Sequence, residues 1–111
     1  MNTYTCKLHF TDDEHTAVTA DYTPAKPAAG FVKGDEIVFT STDGDWHVVY
    51  TSSPFDDIER SRIVSGKAGE SRSFLIHQNK TRNFPFKCAI TVNGHDVGWE
   101  SAGNETPILS T

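Results

Sequence analysis

The sequence predicts an all-β domain, an antiparallel sandwich or barrel of seven or eight short strands. Three observations predict it. Apolar and β-branched residues recur with a period of two in short runs, clusters of Gly, Pro, Asp, Asn and Ser separate those runs, and no helical pattern of about ten residues or more is present. The first run, Tyr4 to Phe10, alternates loosely and stops at the polar turn Thr11-Asp12-Asp13-Glu14. Ala17 to Tyr22 is a second strand, closed by Pro24, Pro27 and Ala28-Ala29-Gly30. Gly34-Asp35 opens Glu36-Ile37-Val38-Phe39-Thr40, which ends at Ser41-Thr42-Asp43-Gly44-Asp45. The Asp-Gly pair suits a tight hairpin, so Trp46 to Thr51 is expected to return as the partner strand. Ser52 to Gly69 is the least regular stretch. Within it Pro54-Phe55-Asp56-Asp57-Ile58-Glu59-Arg60 predicts one helical turn, with Ser53 as cap and Pro54 at the first helical position. Ser71 to His77 is the next strand and Gln78 to Asn83 a polar loop.

The segment from Phe84 to Trp99 is the most informative. Side chains of a strand alternate between faces, so Phe84, Phe86, Cys88, Ile90 and Val92 share one face and Pro85, Lys87, Ala89 and Thr91 the other. The first set, with Phe39 and Phe74, predicts the core. Asn93-Gly94 is the strongest hairpin signal in the chain, because both central positions of a two-residue turn need positive φ. The chain should therefore fold back at once into His95 to Trp99.

A length of 111 residues allows one domain, 1–111, with one modest core. With 36% hydrophobic and 23% charged residues the composition is that of an ordinary globular protein, and no stretch approaches the roughly 18 apolar residues of a membrane helix. Ten basic against fifteen acidic side chains give a net charge of -5, and the basic ones are scattered, which argues against a nucleic-acid partner. Met1 to Cys6 carries neither a basic segment nor an apolar stretch of signal-peptide length, which predicts a cytoplasmic chain. Cys6 and Cys88 are too few for a disulfide framework and read as two buried thiols.

Val32-Lys33-Gly34-Asp35-Glu36-Ile37-Val38-Phe39, followed by Thr42-Asp43-Gly44-Asp45-Trp46-His47-Val48-Val49-Tyr50, resembles the cupredoxins: a Gly-Asp opens a core strand, an Asp-containing turn follows, and a His precedes a Val-Val-aromatic strand. Ser53-Pro54-Phe55, then Ser65 to Ser71 and Phe74, is similar to the loop and late strand of that family, and Phe84-Pro85-Phe86-Lys87-Cys88 to the strand that delivers its copper-binding cysteine. The resemblance spans roughly residues 31 to 99 and implies a Greek-key sandwich of two sheets. In well-known members it also implies a mononuclear copper used for electron transfer, for which the candidate ligands here are His47, Cys88 and His95.

Three features weigh against copper. The only methionine is Met1, so no axial Met follows Cys88. Six residues lie between Cys88 and His95, where the family pattern has two to four. If Asn93-Gly94 makes a two-residue turn, His95 faces Val92, about 13 Å along the strand from Cys88 at about 3.3 Å per residue. The family's strand histidine also aligns as well with Trp46 as with His47, and a slip of one residue sends a side chain to the other face of the sheet.

Other chemistry is sparse. Asp12-Asp13-Glu14 and Asp56-Asp57 lack the alternate spacing of a calcium loop, Gly66 to Ser71 has the wrong spacing for a phosphate loop, and no Gly-x-Ser-x-Gly sets a serine on a sharp turn. Asn79-Lys80-Thr81 and Asn104-Glu105-Thr106 match the glycosylation pattern, and Arg60, Arg62, Lys67 and Arg72 are interleaved with acidic residues. The expectation is a non-enzymatic, cupredoxin-like domain that has lost copper and acts as a small binding or accessory module for a protein or small ligand, with no membrane or nucleic-acid partner. The alternatives are a copper electron-transfer protein using His47, Cys88 and His95, and an immunoglobulin-like interaction domain. Trp46, His47, Phe55 and Trp99 are the candidates for a binding end, in competition with a reading in which both tryptophans fill the space between the sheets.

Overall fold

The computed structural model describes residues 2–28, 30–50, 55, 63–77, 82–83, 86–99 and 108–109. These residues form an all-β sandwich of two four-stranded sheets, with no helix among them. The strands are β1 (Thr3–Phe10), β2 (Val18–Thr23), β3 (Glu36–Thr40), β4 (Trp46–Tyr50), β5 (Ile63–Gly66), β6 (Ser71–Leu75), β7 (Arg82–Asn83), β8 (Phe86–Val92), β9 (His95–Val97) and β10 (Ile108–Leu109). One sheet has the order β2-β1-β3-β6 and the other β5-β4-β8-β9, while β10 pairs with β7. All pairs are antiparallel except β1 with β3, which run parallel with Tyr4 opposite Ile37 and Cys6 opposite Phe39.

The alternation of the sequence sets what each sheet buries. Tyr4, Cys6 and Leu8 of β1, Ile37 and Phe39 of β3, Trp46, Val48 and Tyr50 of β4, and Phe86, Cys88 and Ile90 of β8 face the space between the sheets. Phe39 sits at its centre, with the rings of Trp46, Tyr50, Phe55 and Phe74 at 6.0 to 6.5 Å. Of the predicted core, Phe39, Phe86, Cys88 and Ile90 are buried and Phe74 is partly buried against them. Val92 is only half-buried, because it is the last residue before the hairpin. Phe84 lies outside the described residues.

The Asn93-Gly94 hairpin forms as expected: φ is 51° and 82° at the two positions, and Val92 pairs with His95. The second predicted hairpin does not form. β3 and β4 belong to different sheets, so Ser41 to Asp45 is a crossover between layers. Bonds to distant segments hold it there. Asp43 Oδ2 accepts from Phe10 N–H (3.0 Å), the Ser41 carbonyl from Gly69 N–H (2.7 Å), and the Asp45 carbonyl from Thr91 N–H (2.8 Å). Gly44 serves close packing, since a Cβ there would lie 2.9 Å from Ile90 Cγ2 and from the Thr91 carbonyl oxygen. The strand β5, in which only Ile63 and Val64 are apolar, falls inside the stretch read as irregular. The predicted helical turn lies outside the described residues apart from Phe55, which is buried and bridges to Ile76.

Gly34-Asp35 opens β3 by a specific device. Gly34 takes φ 94°, a conformation a side chain would disfavour. The Asp35 carboxylate, 2% exposed, accepts from Asn2 N–H at Oδ1 and from Val32 N–H at Oδ2, both at 3.0 Å. Its own carbonyl accepts from Ile76 N–H (2.8 Å). One residue thus ties together the start of β1, the turn into β3 and the end of β6. A hydrogen bond to a carboxylate contributes about 1.5 to 3 kcal/mol. Asp35→Ala is therefore expected to lower stability by about 3 kcal/mol or more, read as a fall in the urea midpoint at constant slope. An unchanged midpoint would show that the carboxylate does not hold the strands.

Candidate functional site

Trp46 and His47 separate onto the two faces of the β5-β4-β8-β9 sheet. Trp46 is fully buried on the inner face, with its Nε1–H donating to the Glu70 carbonyl (3.1 Å). It lies against Gly66, its partner on β5, where an added Cβ would be 2.5 Å from the indole ring. Phe55 is also core, its ring stacked on Phe74 at 5.2 Å. His47, the next residue on β4, points to the outer face.

That parity decides the fate of the copper ligand set. Cys88 pairs with Val48 and points inward with it, whereas His47 pairs with Ala89 and points outward. His95 is exposed and sits opposite Val92 at the hairpin end. The strand geometry therefore does not bring His47, Cys88 and His95 to one point, and these residues do not fit a copper ion. Burial pushes the Cys88 thiol up to about 12, the opposite of the lowered value that favours a thiolate ligand. Among the described residues no group of three or more His, Cys, Asp or Glu side chains is placed to hold a metal ion. Asp56, Asp57, Arg60, Arg62, Asn79 and Asn104 lie outside the described residues.

His47 instead joins a chain of polar groups across the four strands of this sheet. Its Nδ1 is 3.0 Å from Ser65 Oγ on β5, the residue opposite it in register. Its Nε2 is 2.8 Å from Thr91 Oγ1 on β8 and 3.7 Å from Asp96 Oδ1 on β9. The Thr91 hydroxyl donates to Asp96 Oδ1 (2.8 Å), and the Trp99 indole N–H donates to Asp96 Oδ2 (3.1 Å). The Trp99 ring lies 6.3 Å from the imidazole, tilted by 35°. Trp99 is the one predicted aromatic that remains partly at the surface. Gly98 lets it reach this place: φ is 116°, and a Cβ would meet Val18 at 2.7 Å and the Cys88 carbonyl at 3.0 Å.

Two clefts flank the pair. A cleft of about 640 Å³ is lined by His15, Thr16, Ala17 and Asp96 to Trp99, and one of about 300 Å³ by Asp45, His47, Ser65, Gly66, Lys67, Glu70 and Arg72. Beside Ser65, the Arg72 guanidinium donates to the Ser65 carbonyl (3.3 Å). Sequence reading found His47 and Trp99 but not Ser65, Thr91 or Asp96. The usable signal was Thr91, which strand parity puts on the outer face, and the hairpin that carries Asp96 back beside it.

The Asp96 carboxyl is held below the usual carboxylate range, first by the Thr91 hydroxyl and then by the Trp99 indole. A folded value below the unfolded one contributes stability above about pH 4, which is lost as pH falls through the folded value. Wild type is therefore expected to lose more Tm than Asp96→Asn between about pH 5 and about pH 2, and high salt should narrow the gap because the group is exposed. Equal pH slopes would show that these bonds do not favour the ionised form. Trp46 and Trp99 should also separate under acrylamide quenching. Trp99→Phe is expected to remove the quenchable part of the native fluorescence and leave the shielded Trp46 emission; an unchanged quenchable part would place Trp99 in the core.

In comparisons with known proteins, no family model and no curated protein matches this sequence, so the chemistry of this face follows from its own geometry.

Proposed function

We propose that the chain is a Greek-key, cupredoxin-like sandwich that has lost the copper site of that family and works as a small binding or accessory module without catalytic turnover. The observation that carries this reading is the opposition of His47 and Cys88 across one sheet. The family resemblance is supported by a chain that crosses between the two layers after β3 and after β5. It is also supported by the placement of the Cys-bearing β8 beside the His-bearing β4. Without a metal to hold, the inner face keeps only packing residues, and polar and aromatic groups gather outside. Trp99, His47 and Asp96 offer one aromatic plane and several hydrogen-bonding atoms beside the larger cleft, the mixture that suits recognition of a small polar ligand or a protein side chain.

The purified chain titrated with Cu(II) is expected to show no intense thiolate-to-copper absorption in the visible spectrum. Its Cys88 thiol should react slowly with a bulky thiol reagent while the protein is native, and quickly once it is unfolded. A strong visible band that disappears in Cys88→Ala would overturn the proposal and restore the copper-carrier reading.

A further inference from the structure

We infer that Ser65 is a covalent acylation site, a serine whose hydroxyl is directed onto a basic imidazole nitrogen and which accepts an acyl group from an activated ester. The inference rests on the direction of the hydrogen bonds on the outer face and stands apart from the binding reading.

The direction follows from the carboxylate at one end. Asp96 is held in its ionised form and can only accept, so the single proton of the Thr91 hydroxyl goes to Asp96 Oδ1 (2.8 Å). Thr91 Oγ1 has then no proton left for the imidazole 2.8 Å away and must accept from it. Nε2 of neutral His47 therefore carries the ring hydrogen. Nδ1 is left as the basic nitrogen, and the group 3.0 Å from it is Ser65 Oγ, which donates. The order carboxylate, hydroxyl, imidazole, serine is the logic of an activated nucleophile, with a base beside the hydroxyl and a further group that fixes the base's tautomer. Asp96 and Thr91 are positioning residues here, since they act through His47.

Ser65 is half-buried and opens on the smaller cleft, so a small ester can approach it. Arg72, bonded to the Ser65 backbone carbonyl, lines the same cleft and gives it a positive charge. In the step itself Ser65 Oγ forms a bond to the ester carbonyl carbon and its proton passes to His47 Nδ1. The tetrahedral centre then collapses, the bond to the leaving oxygen breaks, and the proton on Nδ1 returns to that leaving alkoxide or phenoxide. The product is an acyl ester on Ser65.

The full-length chain treated with p-nitrophenyl acetate and mapped by peptide mass tests this. The expected result is an acetyl group on Ser65 that forms about a hundredfold faster than on the exposed Ser71 or Ser73 of β6, which matches the lower end of what a positioned base supplies. Hydroxylamine should remove it, as it removes an ester, while an amide on Lys67 should persist. His47→Gln should bring the Ser65 rate down to that of Ser71, and Thr91→Val should lower it. Thermal unfolding of each variant checks that it is folded, and the site mapping on wild type holds whether or not the variants fold. Acetylation confined to amines, or a Ser65 rate no faster than that of Ser71 and Ser73, would overturn the inference.

Discussion

The fit of Trp46 over Gly66 fixes the arrangement on which the rest of the structure depends. A tryptophan on the central strand β4 can be fully buried only if the facing residue on β5 leaves room for the indole, and Gly66 is the residue opposite it. The Nε1–H finds the Glu70 carbonyl, so the burial leaves no unsatisfied donor. With Trp46 inside, a strand of period two must put His47 outside, Val48 inside and Tyr50 inside. A slip of one residue would expose the indole and bury the imidazole, and the loss of apolar burial makes that register costly. The same parity, carried across the ladder to β8, puts Cys88 inside and Thr91 outside.

Inside and outside then have different chemistry. The inner face is mainly apolar and aromatic, and burial keeps its Cys88 thiol protonated. The outer face collects groups that can pass hydrogen bonds from one to the next, with a carboxylate at one end and a serine at the other. The fold itself leans on another carboxylate, Asp35, which is buried among backbone N–H donors at the opening of β3. The two acids do unlike work. Asp35 fastens segments of the first sheet, and Asp96 orders side chains on the outer face of the second.

Strands were legible where the sequence carries both alternation and a local stop. Glu36 to Thr40 matches β3, and Phe86 to Ile90 shows the expected inner face, because Gly34-Asp35 and Asn93-Gly94 act within a few residues of themselves. What was misread depends on partners far along the chain. Asp43-Gly44 has the local chemistry of a hairpin, but bonds to Phe10, Gly69 and Thr91 carry it between layers, and nothing near residue 43 records those partners. Strand β5 was missed because its two apolar residues are too few to show a period. The site was half legible. His47 and Trp99 stand out as residue types, whereas Ser65, Thr91 and Asp96 are common surface residues whose meaning arises only when β5, β4, β8 and β9 lie side by side in one register.

The contact from Arg72 to the Ser65 carbonyl also bears on how the molecule keeps to itself. β5 ends one sheet and β6 ends the other, and the two strands follow each other in the chain. Arg72, on β6, reaches over to the backbone of β5 and so lays a charged side chain across the margin where the two layers meet. Open strand margins invite a foreign strand to add on, and a charged side chain laid across one opposes that addition. The cation beside the proposed acylation site would thus double as a guard against fibre growth.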